Sequence, residues 1–368
     1  MIRALYQKQN VLVQTIPKRL ASFVAVEPDT SKKHGSYIKG RIFLPSSSHE
    51  DMPHHLSYSA NPNLKVFQFY GDPNNIKTIA ESFRKCIDDN LPNSSAILFK
   101  KLPINNEFVF NEMIKYSNYN AMQYISGNVS RGTVVGNVYE STAEPPELSI
   151  DLHNEMSYLK WYPKKIMFCC LVPPEIEGET PVCFNREFSP KLDPDFVAKA
   201  DEKKIRYIRN YGNRENTSYM TWQTIFNTES RKKVEEVLRA LDSDWEWHSD
   251  GTLTSWHIGE AFITHPKTKE KIWFNQLAAA HKSYYFDHPD FYNRPDLTVK
   301  QIPLHTTYGD GEEVELRHID HHRMVQWNSA FGFQWEQGDV LVLDNLLAQH
   351  GKLSFQGQRK LVVSLIDE

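Results

Sequence analysis

No stretch of this 368-residue chain approaches the roughly 18 consecutive apolar residues that a membrane-crossing helix needs. The apolar core of a secretory signal is missing as well. Only four cysteines occur, Cys86, Cys169, Cys170 and Cys183. Their spacing matches no metal motif, and they are too few for a disulfide scaffold, so a reducing, cytoplasmic setting is expected. Charge of one sign is not in excess. The net charge is −4 and the pI about 6.4, with acids and bases mixed along the chain, so neither a nucleic acid nor a membrane is expected as a partner. Internal repeats and low-complexity tracts are absent. Residues 1–26 carry Arg3, Lys8, Lys18 and Arg19 and no acid before Glu27. Organellar transit peptides share that pattern, but an ordinary basic strand region is the expectation.

With 40% hydrophobic residues, the chain can bury one large core or two ordinary ones. Ile76, Ile79, Phe83, Ile87 and Leu91 recur at helical steps. A helix is also expected over 108–116. Short strands are expected at 96–99, 134–140, 150–155 and 166–172, the last including Cys169 and Cys170. A long mixed insertion spans about 185–330. It carries a strand at 205–209, a helix over 229–241 with Thr228 as N-cap, and a second helix over 313–327. Strands at 331–335, 339–343 and 361–366 close the chain. Many short strands, few helices and no βαβ alternation indicate a double-sheet antiparallel architecture with flanking helices. Residues 1–63 read as an N-terminal segment packing on a 64–368 domain. The histidines at 34, 49, 54 and 55 fall in a surface loop by composition.

The chemistry lies in two motifs nearly two hundred residues apart. One is Leu152-His153-Asn154-Glu155-Met156; the other is Leu347-Ala348-Gln349-His350-Gly351. Two imidazoles and a carboxylate make the facial triad that holds a non-heme Fe(II) and leaves positions open. On a strand, His153 and Glu155 share a face and reach one metal, and His350 closes the triangle. A lone His-x-Glu is a weak signal, but two followers at fixed distances strengthen it. Thr180 lies 27 residues after His153, in Gly178-Glu179-Thr180-Pro181, and Arg359 nine after His350. An arginine fork grips the far carboxylate of a dicarboxylic acid through paired charge-assisted bonds, and a hydroxyl adds another.

With these motifs the chain resembles the taurine dioxygenase/TfdA superfamily of Fe(II)- and 2-oxoglutarate-dependent oxygenases. It is most similar to the branch of syringomycin-biosynthesis-type and clavaminate synthase-like hydroxylases. The resemblance runs from about Asn74 to the C-terminus and includes Trp222-Gln223-Thr224-Ile225-Phe226 and Ile272-Trp273-Phe274-Asn275-Gln276. It implies a double-stranded β-helix (jelly-roll) core, His153, Glu155 and His350 as iron ligands, and Thr180 and Arg359 binding 2-oxoglutarate, with O2 as oxidant. Glu155 separates the chain from related halogenases, which lack the ligand carboxylate, and hydroxylation is expected. Three departures bear on substrate. Glu177 replaces a usual Gly, Lys352 stands where an Arg often follows the distal His-Gly, and residues 252–259 lack an expected Arg.

The branch acts on amino acids or amino-acid-like metabolites, free or tethered to a carrier protein. Alternatives are a protein side-chain hydroxylase, or a non-catalytic binding member of the fold. Substrate candidates are Arg131 as a carboxylate anchor, Tyr158, Trp222 and Asn275. Asp344 and Asn345 are read as orienting the His350 loop by hydrogen bonds. His257, His265 and His281 take structural or substrate-lining roles. His321 and His322 are expected to face solvent.

Overall fold

The apolar run 166–172 becomes the strand Lys165–Val172, buried along nearly its whole length. Successive side chains point to opposite faces, and each face finds its own core. Met167, Cys169 and Leu171 pack with Phe83, Ile87, Phe110 and Met113 of two helices, Ile76–Asn90 and Glu107–Ser117. Ile166, Phe168 and Cys170 face the other way, with Leu341, Leu343, Leu361 and Val363, into the larger core. A computed structural model describes this architecture for residues 21–29, 31, 33–123, 133–142, 144–217 and 220–368.

Lys165–Val172 lies within an eight-stranded sheet, between Val340–Asp344 and Lys360–Ile366, antiparallel to both. Beyond Val340–Asp344 follow Ala96–Lys100, Leu64–Tyr70 and Ser22–Val26; Val138–Glu140 and Thr133–Val135 complete the opposite edge. A three-stranded antiparallel sheet, Val182–Phe184, Ala348–Lys352 and Ile150–His153, carries the site. Its register sets Val182 against His350 and His350 against His153. The stretch after residue 185 contributes a four-stranded sheet, in the order Asp244–Trp247, Leu253–Gly259, Ile205–Tyr211, Leu304–Tyr308. The helix Leu316–Ser329 packs onto the three-stranded sheet. The chain is thus mainly β with flanking helices.

Several elements differ from expectation. Leu64–Tyr70 and Ala96–Lys100 pair in parallel, with the helix Ile76–Asn90 between them, so one βαβ unit is present. Parallel neighbours need such a crossover, and this helix buries Ile79, Ala80, Phe83 and Ile87 in the core. The helix expected over 229–241 is Arg231–Ala240, capped by Ser230 rather than Thr228. Thr228 Oγ1 instead accepts the Ser230 N–H at 3.1 Å, closing a turn before the helix. The expected strand 331–335 reduces to bridges of Phe331 to Ser57 and Val182. No helix among the described residues is long and apolar enough to cross a membrane.

Candidate metal centre

The strand Ile150–His153 ends at His153, and Glu155 sits in the turn beyond it, where Met156 takes φ 57°. Strand alternation therefore does not place Glu155, contrary to the expectation from sequence. Asn345 does. Its Oδ1 accepts the Glu155 N–H at 2.7 Å, and its Nδ2 donates to Glu155 O at 2.9 Å and Pro163 O at 2.8 Å. Asn154, between the two candidate ligands, donates to Asn345 O at 2.6 Å and Ala348 O at 3.2 Å. Its Oδ1 accepts from Asn185 and Gln349, each at 3.1 Å. These amides are fully buried, so their geometry is held at many points at once.

The result brings His153, Glu155 and His350 together. Glu155 Oε2 lies 3.6 Å from His350 Nε2 and 3.9 Å from His153 Nε2. With metal–ligand bonds of about 2.0–2.2 Å, donors at right angles stand about 3 Å apart, so small side-chain rotations complete the set. His153 Nδ1 lies 2.8 Å from Asp151 O. A carbonyl can only accept, so the ring proton sits on Nδ1 and the Nε2 lone pair is left for a metal. Asp151 itself is locked by Arg323 Nε at 2.8 Å and Trp327 Nε1 at 3.2 Å. Arg323 also donates to Ser283 Oγ and Ala278 O.

On the cavity's far side, Arg359 Nε donates to Gly178 O at 3.2 Å, and Nη2 reaches Thr180 Oγ1 at 3.5 Å. Burial pulls the Arg359 guanidinium down to about 10, leaving it charged at neutral pH. Behind Thr180 is Glu179, a buried carboxylate within the Gly178-Glu179-Thr180-Pro181 motif that was assigned no role from sequence. It accepts from the Ser36 backbone N–H at 2.9 Å, Ser36 Oγ and, at 2.7 Å, Tyr58 Oη. Burial, and then Glu179, push the Tyr58 hydroxyl pKa up. Lys352, 3% exposed, donates to Pro145 O at 2.6 Å. Burial, then the charge of Arg359, pull its amine down to about 7.

His153, Glu155, His350, Thr180 and Arg359 all line one solvent-connected cavity. Tyr158 lines it too, and its carbonyl is held by His257 Nε2 at 2.5 Å. Trp222 does not. It packs with Tyr211, Val234, Leu238 and Leu253 and donates to Gly251 O at 3.1 Å. Asn275 is tied to Ala261 O and the Leu277 N–H, and the next residue, Gln276, lines the cavity instead. Arg131 lies outside the described residues. Asp344 turns away from the site: it caps the Leu346 N–H at 3.0 Å and sits 3.5 Å from His265 Nε2. His322 is buried rather than solvent-facing, because Trp273 Nε1 and Gln326 Oε1, each at 3.0 Å, hold its ring between them. Burial takes its pKa down to about 3.

The family model for taurine catabolism dioxygenase TauD, TfdA family, matches residues 72–365. The chain belongs to that family. TauD/TfdA-family enzymes of this kind are Fe(II)- and 2-oxoglutarate-dependent dioxygenases, and this chain is one. It is 31% identical over 291 residues to the dapdiamide synthesis protein DdaC of Enterobacter agglomerans, covering 76% of this chain and 84% of that one. A clavaminate synthase-like protein of Arabidopsis thaliana is 27% identical over 286 residues, covering 76% and 83%. Among solved structures, PvcB, an Fe, alpha-ketoglutarate dependent oxygenase from an isonitrile synthetic pathway, matches at 12% identity with a TM-score of 0.46, covering 82% and 85%. Two imidazoles that can both present Nε2, with one buried carboxylate, are a donor set that suits Fe(II) in a TauD/TfdA enzyme.

Proposed function

We propose that His153, Glu155 and His350 hold Fe(II), that Thr180 and Arg359 bind 2-oxoglutarate, and that the enzyme hydroxylates an unactivated C–H of a small amino-acid-like metabolite, free or carrier-bound. One observation carries this reading: all five side chains line the same cavity. When bound, the iron couples O2 to 2-oxoglutarate, giving succinate, CO2 and one oxygen atom inserted into the substrate C–H. Every other contribution comes from the chain. Arg359 meets the distal carboxylate of 2-oxoglutarate with a charged fork, and the Thr180 hydroxyl adds a further bond. Asp151 O keeps the His153 ring proton off Nε2, and Asn345 fixes the Glu155 peptide. Tyr158, Tyr284, Tyr285 and Leu304 wall the cavity and limit water. Glu144, in the same cavity, offers a carboxylate for a substrate ammonium. We also read the eight-stranded and three-stranded sheets as the two walls of a double-stranded β-helix, since Phe168 of one and His153 and His350 of the other line one cavity. The four free cysteines fit a cytoplasmic setting. The DdaC relative, named for dapdiamide synthesis, supports a biosynthetic, amino-acid-like substrate.

The test is a substrate screen following succinate release under 18O2, with amino acids and amino-acid-loaded carrier proteins as pools. The expected result is succinate formation stimulated by one pool, with a single 18O atom in its oxidised product. If no pool raised succinate above the substrate-free rate, or the product carried no label, the proposal would fail.

A further inference from the structure

A second group of donors, separate from His153, Glu155 and His350, adjoins in sequence the cavity-lining residues Tyr284, Tyr285 and Leu304. His281, His305 and Glu313 each bring a ligand atom to within 4.8 Å of the others. His281 and His305 are buried, at 2% and 1% exposure, whereas the Glu313 side chain reaches solvent. His305 Nε2 is 3.2 Å from Glu313 Oε1. His281 Nδ1 is occupied locally: it accepts the Ser283 N–H at 3.2 Å and lies 2.9 Å from Ser283 Oγ. The other nitrogen, His281 Nε2, is buried with no hydrogen-bond partner. A buried polar atom left so is destabilising and calls for a reason.

We propose that His281, His305 and Glu313 form a second metal site, for a zinc-class divalent ion, that braces the wall of the catalytic cavity. Two neutral imidazoles and a carboxylate, with water in the fourth place, are a zinc donor set. Burial first, then His305, holds His281 down to about 2, and burial lowers His305 as well. Both rings are therefore neutral at pH 7, and the ion displaces no proton from them. Binding at Nε2 moves the ring proton to Nδ1. At His281 this gives up the Ser283 N–H contact at 3.2 Å, and Ser283 Oγ is placed to accept the proton instead, as the outer partners of metal-bound imidazoles do. At His305, the Lys282 N–H approaches Nδ1 only at 3.4 Å, a long contact that is cheaply given up. Lys282 Nζ holds Glu313 Oε2 at 2.7 Å, so its ammonium competes with the ion for that carboxylate. Without an ion, His281 Nδ1 caps the turn Lys282–Asp287, whose Tyr284 and Tyr285 line the cavity; with one, the link to the turn passes to Ser283 Oγ. An ion here pins that turn.

Chelator-treated full-length protein is titrated with Co(II), read by visible absorption, and with Zn(II) in competition. Wild type is expected to take two equivalents, one of them with the intense spectrum of a four-coordinate ion. His350→Ala keeps that equivalent, and His281→Ala loses it while retaining the other. Glu313→Gln, at an exposed side chain, weakens it at least tenfold, and Lys282→Met tightens it. A single equivalent in wild type would overturn the proposal, as would two unweakened equivalents in His281→Ala. If His281→Ala does not fold, Glu313→Gln decides the matter: unchanged affinity in that variant overturns the proposal.

Discussion

Replacing Asn345 with Ala tests how the carboxylate ligand is held. Asn345 is fully buried, and three of its hydrogen bonds end on main-chain groups at Glu155 and Pro163. Truncation leaves the Glu155 N–H and two carbonyls buried without those partners. At about 1–3 kcal/mol per orphaned group, moderated by relaxation and entering water, the loss of folding stability is about 2–4 kcal/mol. The metal is affected separately. The Glu155 turn loses the clamp that aims its carboxylate, and iron affinity should fall about 10- to 100-fold, the range for outer partners of metal ligands. Asn345→Asp is the sharper control. It keeps an acceptor for the Glu155 N–H but sets an oxygen against two carbonyl oxygens, so it should bind iron no better than Asn345→Ala. Chemical denaturation of the metal-free protein gives the first quantity, and Fe(II) titration of turnover, with anaerobic Co(II) binding, the second. A variant destabilised as calculated but with wild-type iron affinity would refute the reasoning, because Glu155 would then be placed by something else.

Three further outcomes are expected. Arg359→Ala removes the cation proposed to face the distal carboxylate, about 2–5 kcal/mol for a buried charge pair, so the apparent affinity for 2-oxoglutarate should drop at least tenfold with iron retained; isothermal titration checks both. Glu155→Asp should hydroxylate much more slowly than wild type and Glu155→Ala hardly at all, and mass spectrometry with and without chloride should find no chlorinated product from wild type. Lys352, drawn down to about 7 in the folded protein from an ordinary value of 10.5, binds a proton between those values only when unfolded. Unfolding therefore takes up a proton in that window, so stability of the co-substrate-free enzyme should rise with pH between about 7 and 10, and Lys352→Met should flatten that rise in thermal melts.

The residues proposed as donors and co-substrate contacts stood out because they lie in short motifs at fixed spacing, and the structure brings His153, His350, Thr180 and Arg359 to one cavity. Their supports were harder to see. Glu179 reads as one more surface acid until Ser36 and Tyr58, 143 and 121 residues away, are found on its oxygens. Nothing local marks His322 as buried either, since Trp273 and Gln326 reach it from different elements. Periodicity located the helix Ile76–Asn90 but not its role as a parallel crossover, which depends on how flanking strands pair. Trp222 and Asn275 sit in motifs near the pocket in sequence, but local packing and main-chain bonds took their side chains elsewhere.

The Asn345 clamp also bears on how the protein is made. Glu155 is positioned by a residue 190 places further along the chain, and His350 follows five residues after that. A nascent chain that has emerged only through the first motif carries His153 and Glu155 with neither the proposed third ligand nor the clamp. The complete site can form only once nearly the whole chain has been synthesised, because domains assemble from contacts their sequence separation delays. If these residues hold iron as proposed, the partly made protein lacks the groups to hold it in a closed coordination sphere.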